Sequence, residues 1–278
     1  MQKIIKKASG EFQEFDAHKF RRSLEKSGAD SSVIDSLIAS IEKNTELKTT
    51  HEIYKFAYDA LLSQKSSLAA RYSLKNALIQ LGPTGYPFEG FIAQLFVYQG
   101  YETQTGIIVQ GKCITHEIDL IANNKSTIIV GECKFHNRLG LKSDSKVTLY
   151  FKSRFDDVQK SIQEKFSEKK HVQSLLVTNT KFTTEAIAYA QCVGIELLGW
   201  SYPMKHNLAE LIDQYRLYPI TVLTALNNRQ KRIIIQNGTV LCRDLLAKPT
   251  TLKQFRLSLI AVEIIMKELQ EICDYNKA

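Results

Sequence analysis

Apolar and polar positions divide the chain into three consecutive stretches. Residues 1–82 begin with two short β-like runs, KIIKK and EFQEF, and continue with about four short amphipathic helices. Several helix breakers in GPTGYP, at 82–87, mark a linker. Helical and strand periods then alternate over residues 86–203, and residues 205–278 have a helical period. The pattern predicts a multidomain chain of the α+β and α/β classes, with a central α/β/α sandwich.

Capping residues and apolar spacing locate the individual elements. Asp16 is the predicted N-cap of the first helix, and Thr49 with Glu52 has the spacing of a capping box. In the middle stretch we expect a helix in FEGFIAQLFVYQGY and strands in YETQTGIIVQ, HEIDLIA and STIIVGECKF. A charged helix over 151–170, the strand VQSLLVTN, the helix TTEAIAYAQCVG and the strand IELLGW follow. The last stretch predicts two helices joined by NGT and a final helix from Leu252 to about Cys273.

Composition excludes several classes of protein. Of the 278 residues, 44% are hydrophobic and 24% are charged, which is typical of a soluble globular protein. No apolar run approaches the roughly 20 residues needed to span a bilayer, and the N-terminus lacks the apolar core of a signal peptide. The five cysteines form no CxxC pair or Cys/His cluster, which favours a reducing cytoplasm over a disulfide framework or a zinc site. A formal net charge of +8 is compatible with a polyanionic partner without establishing one.

The segment HEIDLIANNKSTIIVGECKF, residues 116–135, places charged side chains in otherwise apolar strands. Residues two apart on a strand share a face, so Glu132 and Lys134 point the same way. We place Asp119 at the end of the preceding strand, where a hairpin would bring it towards Glu132. Two carboxylates at short distance favour a cation between them, and oxygen ligands suit Mg²⁺ or Mn²⁺. Because Asp, Glu and Lys are common residues, a purely structural role for this spacing stays open.

Phosphodiester hydrolysis is the chemistry that uses such a group. A metal held by Asp119 and Glu132 would activate water, and Lys134 would orient that water or stabilise the developing negative charge. Glu89, on the helix before the strands, could supply a further carboxylate. We expect His116 to be a bystander and the Cys133 side chain to point away from the site, with its carbonyl as a possible ligand.

Residues 86–200 resemble the Mrr-like branch of the restriction-endonuclease-like nucleases, through FEGFIAQLFVYQGYET, HEIDLIA, IIVGECKF and SLLVTNTKFTTEAIAYAQCVGIELL. The resemblance implies a PD-(D/E)xK site with Glu89 as the helix acid, Asp119 as the motif aspartate, and Glu132 and Lys134 as the (D/E)xK pair. Ile118 stands where the motif has proline. The resemblance implies a metal-dependent endonuclease acting on double-stranded DNA, and we expect a homodimer.

Residues 1–82 resemble the ATP-cone, a nucleotide-sensing module, through IIKKASGEFQEFDAHKFRRSLEKSG, TTHEIY and ARYSLK. The resemblance implies binding of ATP or dATP, and Lys7 departs from the family's arginine. No Gly-x-x-x-x-Gly-Lys motif is present, so a bound nucleotide would regulate the protein and would not be hydrolysed as in a motor ATPase. A solvated basic face is the alternative interpretation. The candidate nucleotide-binding residues are Ile5, Lys6, Lys7, Lys19, Arg22, Thr50 and Ile53.

The segment PITVLTALNNRQKRIIIQNGTVLCRDLL faintly resembles a helix–hairpin–helix element. Such elements bind DNA phosphates without reading sequence, and Arg229, Lys231 and Arg232 would serve that purpose here. A plain helical packing domain is an equal alternative. The whole sequence therefore predicts a cytoplasmic restriction-type DNA endonuclease regulated by ATP or dATP. The alternative is a nucleotide-responsive DNA-binding regulator that uses the nuclease fold as a scaffold.

Overall fold

The computed structural model describes residues 3–7, 10–166 and 170–273, and expectations for the remaining residues lie outside this description. The chain is a mixed α/β protein with a central mixed β-sheet, which confirms that part of the predicted fold class. It divides into two compact units. The first contains residues 1–77, 218–234 and 242–278, and the second contains residues 78–217 and 235–241. Both units are therefore discontinuous along the sequence.

A short hairpin and four helices form the N-terminal part of the first unit. Strand β1, Ile4–Lys6, pairs antiparallel with β2, Phe12–Glu14. The predicted apolar stripes become the core of this part, because the buried side chains recur at helical spacing on α1, α2 and α3. The helices are α1 (Ala17–Lys26), α2 (Ser31–Lys43), α3 (Thr50–Gln64) and α4 (Ser66–Ile79).

The predicted helix caps are confirmed. The Asp16 side chain accepts the backbone N–H of Lys19 at the start of α1, at 2.8 Å. At the start of α3, Thr49 Oγ1 accepts the N–H of Glu52 at 3.1 Å, and Glu52 Oε2 accepts the N–H of Thr49 at 2.8 Å. This reciprocal capping box satisfies amides that have no partner within the helix.

The second unit is built around a five-stranded sheet. The strand order is β3–β4–β5–β7–β9. The first three strands pair antiparallel, and β5, β7 and β9 run parallel. Strands β6 and β8, which the sequence did not predict, form a separate parallel pair. The elements are α5 (Tyr86–Val97), β3 (Glu102–Gln110), β4 (Thr115–Asn123), β5 (Thr127–Lys134), β6 (Lys142–Ser143), α6 (Ser145–Phe166), β7 (His171–Thr178), β8 (Lys181–Phe182), α7 (Thr184–Val193), β9 (Glu196–Leu198) and α8 (Leu208–Tyr215).

Helix α6 packs on the sheet through an apolar stripe. Phe155, Val158 and Ile162 of α6 join Ile128 and Val130 of β5 in one buried cluster. Alternate residues of a strand share a face, so the β5 face that meets α6 continues towards the charged end of the strand. The helix also begins earlier than the predicted residue 151, since the carboxylate of Asp144 accepts the N–H of Lys146 at 3.1 Å at its start.

The turn between β3 and β4 is fixed by a carboxylate from α6. Asp157 accepts the backbone N–H groups of Cys113 and Ile114, at 2.8 and 3.2 Å. It also bonds His116 Nε2 at 2.9 Å. Gly111 has no room for a side chain, because a Cβ there would lie 2.2 Å from Asp157 Oδ2 and 2.8 Å from the carbonyl oxygen of Ile114.

The last stretch of the chain differs from the expected helices in two places. PITVLTAL is not helical throughout: only Ile220–Val222 form a 3₁₀ turn, and α9 begins at Asn228. The expected continuous final helix is interrupted, since Arg256 has φ +48° and ends the 3₁₀ segment Pro249–Phe255. The remaining helices are α9 (Asn228–Gln236), α10 (Cys242–Ala247) and α11 (Leu259–Cys273).

A cap explains the late start of α11. The hydroxyl of Ser258 accepts the N–H of Ala261 at 3.2 Å, and the backbone carbonyl of Ser258 accepts the N–H of Val262. Serine at this position is a favoured N-cap, and it starts the helix after the break. Among the described residues, no helix is both long and apolar enough to cross a lipid bilayer.

Two glycine substitutions should change stability in opposite directions. Gly111→Ala should lower the free energy of unfolding by about 1–3 kcal/mol, because the added methyl displaces Asp157 and the turn backbone. Gly90→Ala should raise it by roughly 0.5–1 kcal/mol, because Gly90 lies within α5 with open space at its Cβ position. Urea unfolding measures both values, and equal effects of the two substitutions would contradict the tight turn.

Candidate active site

The predicted hairpin of β4 and β5 is confirmed, and it brings Asp119 to Glu132. Leu120 pairs with Gly131 as the last pair of the ladder, so Asp119 and Glu132 lie directly beyond it, at the open end. Asp119 lies in the middle of β4 and not at the end of a strand as expected, since β4 continues back to Thr115 along β3. The carboxylate of Asp119 accepts the N–H of Cys133 at 2.7 Å, in place of a backbone carbonyl.

Glu132 and Lys134 end strand β5. They follow Ile128 and Val130 on the face that meets α6, as the alternation of a strand requires. The Glu132 side chain is 17% exposed, whereas Lys134 is exposed. Cys133, between them, is buried, as expected for a side chain that points away from the acidic group.

Arg154 of α6 joins the site, and the sequence did not predict it. Its Nη1 forms an ion pair with Glu132 Oε2 and donates to the carbonyl oxygen of Glu117 at 3.2 Å. Its Nη2 donates to the hydroxyl of Tyr150 at 3.1 Å, and the guanidinium lies 4.9 Å from the Tyr150 ring centroid. Arg154 therefore connects α6 to both strands of the hairpin.

Three carboxyl groups in this region have raised pKa values. Burial, together with Asp119, Glu117 and Glu132, raises the pKa of Glu89 to about 7. Burial and Asp119 raise the pKa of Glu132 to about 7, against the opposing effect of Arg154 and Lys134. Burial also raises the pKa of Asp119, although the Cys133 N–H and Arg154 lower it. The carboxyl groups thus repel one another, and Arg154 and Lys134 offset only part of that repulsion.

The donor set fits a hard divalent cation. Asp119, Glu132 and Glu89 offer carboxylate oxygens, which are the ligands that Mg²⁺ and Mn²⁺ prefer. A bound cation would relieve the electrostatic repulsion between these carboxylates. Within the described parts of the chain, however, no three His, Cys, Asp or Glu side chains already stand in the geometry of a metal site. Direct binding of one cation by all three carboxyl groups would therefore require side-chain movement.

The chain beyond Lys134 is held by Asn179, another residue that the sequence did not predict. The fully buried Asn179 side chain accepts the N–H of His136 at 2.9 Å and donates to its carbonyl at 2.8 Å. His136 Nε2 lies 3.0 Å from the hydroxyl of Ser143, and burial and Lys134 lower the pKa of His136. These bonds fix the backbone that follows Lys134 at the end of the central strand β5.

His116 lies at the start of β4, beside the β3–β4 turn and not with the acidic group. Its ring bonds Asp157, and both side chains are 12% exposed. Burial raises the pKa of Asp157, but the hydrogen bonds from His116, Ile114 and Cys113 lower it further, to about 2. His116 is thus bonded to Asp157, and its role as a bystander stays a prediction.

Some of the N-terminal candidate residues for nucleotide binding lie close together. The N–H of Lys6 donates to the carbonyl of Lys48 at 2.8 Å, so β1 runs beside the start of α3, where Thr50 is the first residue. Ile5 and Ile53 are buried core residues, which leaves only their backbone atoms for contact with a ligand.

The charges around that helix start are mixed. Lys7 forms an ion pair with Glu11 at 3.1 Å, and Lys19 and Arg22 are exposed on α1. Glu52 already accepts the N–H groups of the two residues before Thr50. An acidic side chain at this position opposes a triphosphate, so binding there would rely on the nearby cations.

The C-terminal candidates for DNA binding differ in exposure. Arg229 and Arg232 are exposed on α9. The ammonium of Lys231 donates to the carbonyl of Thr221 at 3.1 Å, and burial lowers its pKa. This contact favours a structural role for Lys231 over contact with a phosphate.

Sequence reasoning had usable signals for some of the residues it missed. Arg154 is three residues after Phe151 and four before Val158, both on the buried stripe of α6, which predicts a cation beside the sheet. Glu117, two residues before Asp119, contributes to the raised pKa values of Glu89 and Asp119. We find no comparable signal for Asn179.

Comparisons with known proteins agree on one family for this mixed α/β chain. A family model described as AF1548-like, C-terminal, matches residues 218–273. An uncharacterized protein of Archaeoglobus fulgidus is 36% identical over 182 residues, which are 65% of this chain and 99% of that protein. The crystal structure of AF1548, described as a protein of unknown function, has 36% identity and a TM-score of 0.56, and the match covers 68% of this chain and 98% of that one. The chain belongs to the AF1548-like family.

The raised pKa of Glu132 predicts how the free energy of unfolding depends on pH. The folded state keeps the Glu132 proton up to a pH of about 7, whereas the unfolded chain releases it near the ordinary 4.5. Without metal, the free energy of unfolding should therefore fall between these two pH values, by on the order of 1–3 kcal/mol from this group.

Glu132→Gln should remove this part of the pH dependence, because an amide does not ionise. Guanidinium unfolding in EDTA at pH 5, 7 and 8.5 measures the free energy of unfolding of both proteins. Glu164→Gln, at a more exposed carboxyl group on α6, is the matched control and should follow the wild type. An unchanged pH slope in Glu132→Gln would contradict the raised pKa.

Proposed function

We propose that this protein is a metal-dependent DNA endonuclease of the restriction type. The observation that carries the proposal is the meeting of Asp119 and Glu132 at the open end of the β4–β5 hairpin, with Lys134 two residues beyond Glu132. Glu89 of α5 adds a third carboxyl group within electrostatic reach. This arrangement suits phosphodiester hydrolysis, because it combines carboxyl groups on two strands, a lysine at the same strand end and a carboxyl group from the preceding helix.

Each group would have a separate part in the reaction. A divalent cation, when bound, would polarise the phosphate and lower the pKa of a coordinated water. Asp119 and Glu132 would hold that cation, and Glu89 would bind it or its waters. Lys134 would face the negative charge that develops as the water oxygen bonds to phosphorus. The water would give up its proton to solvent, the bond between phosphorus and the leaving sugar oxygen would break, and that oxygen would take up a proton from solvent.

The proposal includes the finer architecture expected from sequence. Residues 86–203 would form a restriction-endonuclease-like α/β/α sandwich, which is supported by α5, the three antiparallel strands and the parallel strands β7 and β9. Residues 1–82 would form an ATP-cone, which is supported by a β-hairpin followed by four helices. Residues 205–278 would form a helical segment, in which α9 and α10 would provide a helix–hairpin–helix-like contact to double-stranded DNA through Arg229 and Arg232. We place the protein in the cytoplasm, as a homodimer.

A second function is favoured by one specific contact. Glu132 is already neutralised by Arg154, as would suit a site that no longer binds metal. In that case the protein would be a nucleotide-responsive DNA-binding regulator that uses the same fold as a scaffold. The two proposals differ in whether the wild type cuts DNA when Mg²⁺ or Mn²⁺ is added.

Asp119→Asn should reduce the cleavage of supercoiled plasmid by at least about 100-fold, because it removes a charged ligand while keeping the side-chain shape. Gel analysis of nicked and linear products with Mg²⁺ or Mn²⁺ measures the effect. Asp156→Asn, at an exposed carboxylate on α6, is the control and should cut like the wild type. Equal cutting by wild type and Asp119→Asn would exclude this site, and no cutting by the wild type would favour the regulator.

Nucleotide binding is tested by calorimetry of the whole chain with ATP and dATP. A fragment of residues 1–82 is unsuitable, because the first unit also contains residues 218–234 and 242–278. Combined Lys6→Met and Lys19→Met should weaken binding by about tenfold or more, since both cations would face the triphosphate. Lys43→Met, at an exposed end of α2, is the control. No heat from either nucleotide with the wild type would mean that the basic face is only solvated.

A further inference from the structure

Arg154 occupies a position with two sets of partners. On one side, Nη1 holds Glu132 Oε2 and the carbonyl of Glu117. On the other, Nη2 donates to the hydroxyl of Tyr150, a side chain that is 60% exposed. The Nε atom is buried and has no hydrogen-bond acceptor within the described residues. The guanidinium thus keeps an unused donor beside the acidic group.

The carboxylate that Arg154 holds is also one that the proposed function assigns to the metal. Arg154 contacts Glu132 directly and acts electrostatically on Asp119 as well. A divalent cation at these two carboxylates would repel the guanidinium at close range. The cation and Arg154 therefore compete for the same negative charge.

We propose that Arg154 is a substrate-binding residue that holds Glu132 until metal binds and then contacts the DNA phosphate. The inference rests on the proposed function. The planar fork of a guanidinium suits a phosphate as well as it suits a carboxylate, and only Nη1 of the fork is used on Glu132. The Tyr150 ring and hydroxyl keep the guanidinium at the site during the exchange. Arg154 thereby links metal binding to phosphate binding.

This role predicts opposite effects on two measurements. Removing the guanidinium removes a cation that competes with metal, so Arg154→Met should bind Mn²⁺ about tenfold more tightly than wild type. The same substitution removes a donor to the phosphate, so cleavage at saturating Mn²⁺ should fall by about 100-fold. A residue that only fastens α6 to the hairpin would weaken both metal binding and cleavage when it is removed.

The experiment compares wild type, Arg154→Met, Arg154→Lys and Lys160→Met. Calorimetric titration of the metal-free proteins with Mn²⁺ at pH 8.5 gives the metal affinity, and single-turnover cleavage of supercoiled plasmid at saturating Mn²⁺ gives the rate. Lys160→Met removes a positive charge from an 88% exposed side chain of the same helix and should match the wild type in both. Arg154→Lys keeps the charge without the fork, so we expect wild-type metal affinity with cleavage reduced about tenfold.

Tighter Mn²⁺ binding with slower cleavage in Arg154→Met would support the inference. Unchanged or weaker Mn²⁺ binding, or unchanged cleavage, would overturn it. If Arg154→Met does not fold, as circular dichroism would show, Arg154→Lys decides: reduced cleavage at wild-type metal affinity supports the role, and full cleavage contradicts it. If the wild type neither binds Mn²⁺ nor cuts DNA, the proposed function fails and the inference with it, whereas an active wild type with an equally active Arg154→Met overturns the inference alone.

Discussion

A side chain, and not a backbone carbonyl, makes the bond that follows the β4–β5 ladder. The carboxylate of Asp119 accepts the N–H of Cys133, directly beyond the pair of Leu120 and Gly131. This bond fixes the direction of Asp119 and uses one of its oxygens. It also fixes the backbone between Glu132 and Lys134, so that both side chains project from a rigid strand end. The whole candidate site depends on this arrangement, because each other charged group is placed relative to Asp119 or Glu132.

The charges at this end of the sheet are not balanced. Burial, together with repulsion among three carboxyl groups, holds two pKa values near 7, although Arg154 is paired with one of the groups and Lys134 lies at the same strand end. Structural ion pairs usually lower the pKa of their acids. An arrangement that keeps acids partly protonated is typical of a functional site, although structural networks also shift pKa values. The neighbouring Asp157 shows the contrast, since its turn amides and His116 lower its pKa to about 2.

Local patterns in the sequence predicted much of the fold and the core of the site. Alternation on β5 is sufficient to place Glu132 and Lys134 on one face, and apolar spacing predicted the hairpin that brings Asp119 near them. Helical spacing on α6 is sufficient to place Arg154 beside the sheet, but its pairing with Glu132 was missed because that contact depends on how α6 lies across the sheet, which no local pattern determines. The break at Arg256 was missed for a related reason: apolar positions continue on both sides of it, and only the left-handed backbone ends the helix there. Asn179 was missed because its role depends on a backbone segment more than 40 residues away.

The discontinuous first unit has a consequence for the order in which the protein folds during synthesis. Residues 1–77 are synthesised before the second unit, but the buried side chains Ile265, Leu269 and Ile272 of the first unit are synthesised after most of that unit. Domains generally fold as they emerge, in N-terminal to C-terminal order. Here the sheet-containing unit becomes nearly complete before the first unit does. A chain released early would contain the candidate active site on the β4–β5 hairpin but an incomplete first unit. Any regulation of the site by the N-terminal module would therefore exist only in chains synthesised to the end of α11.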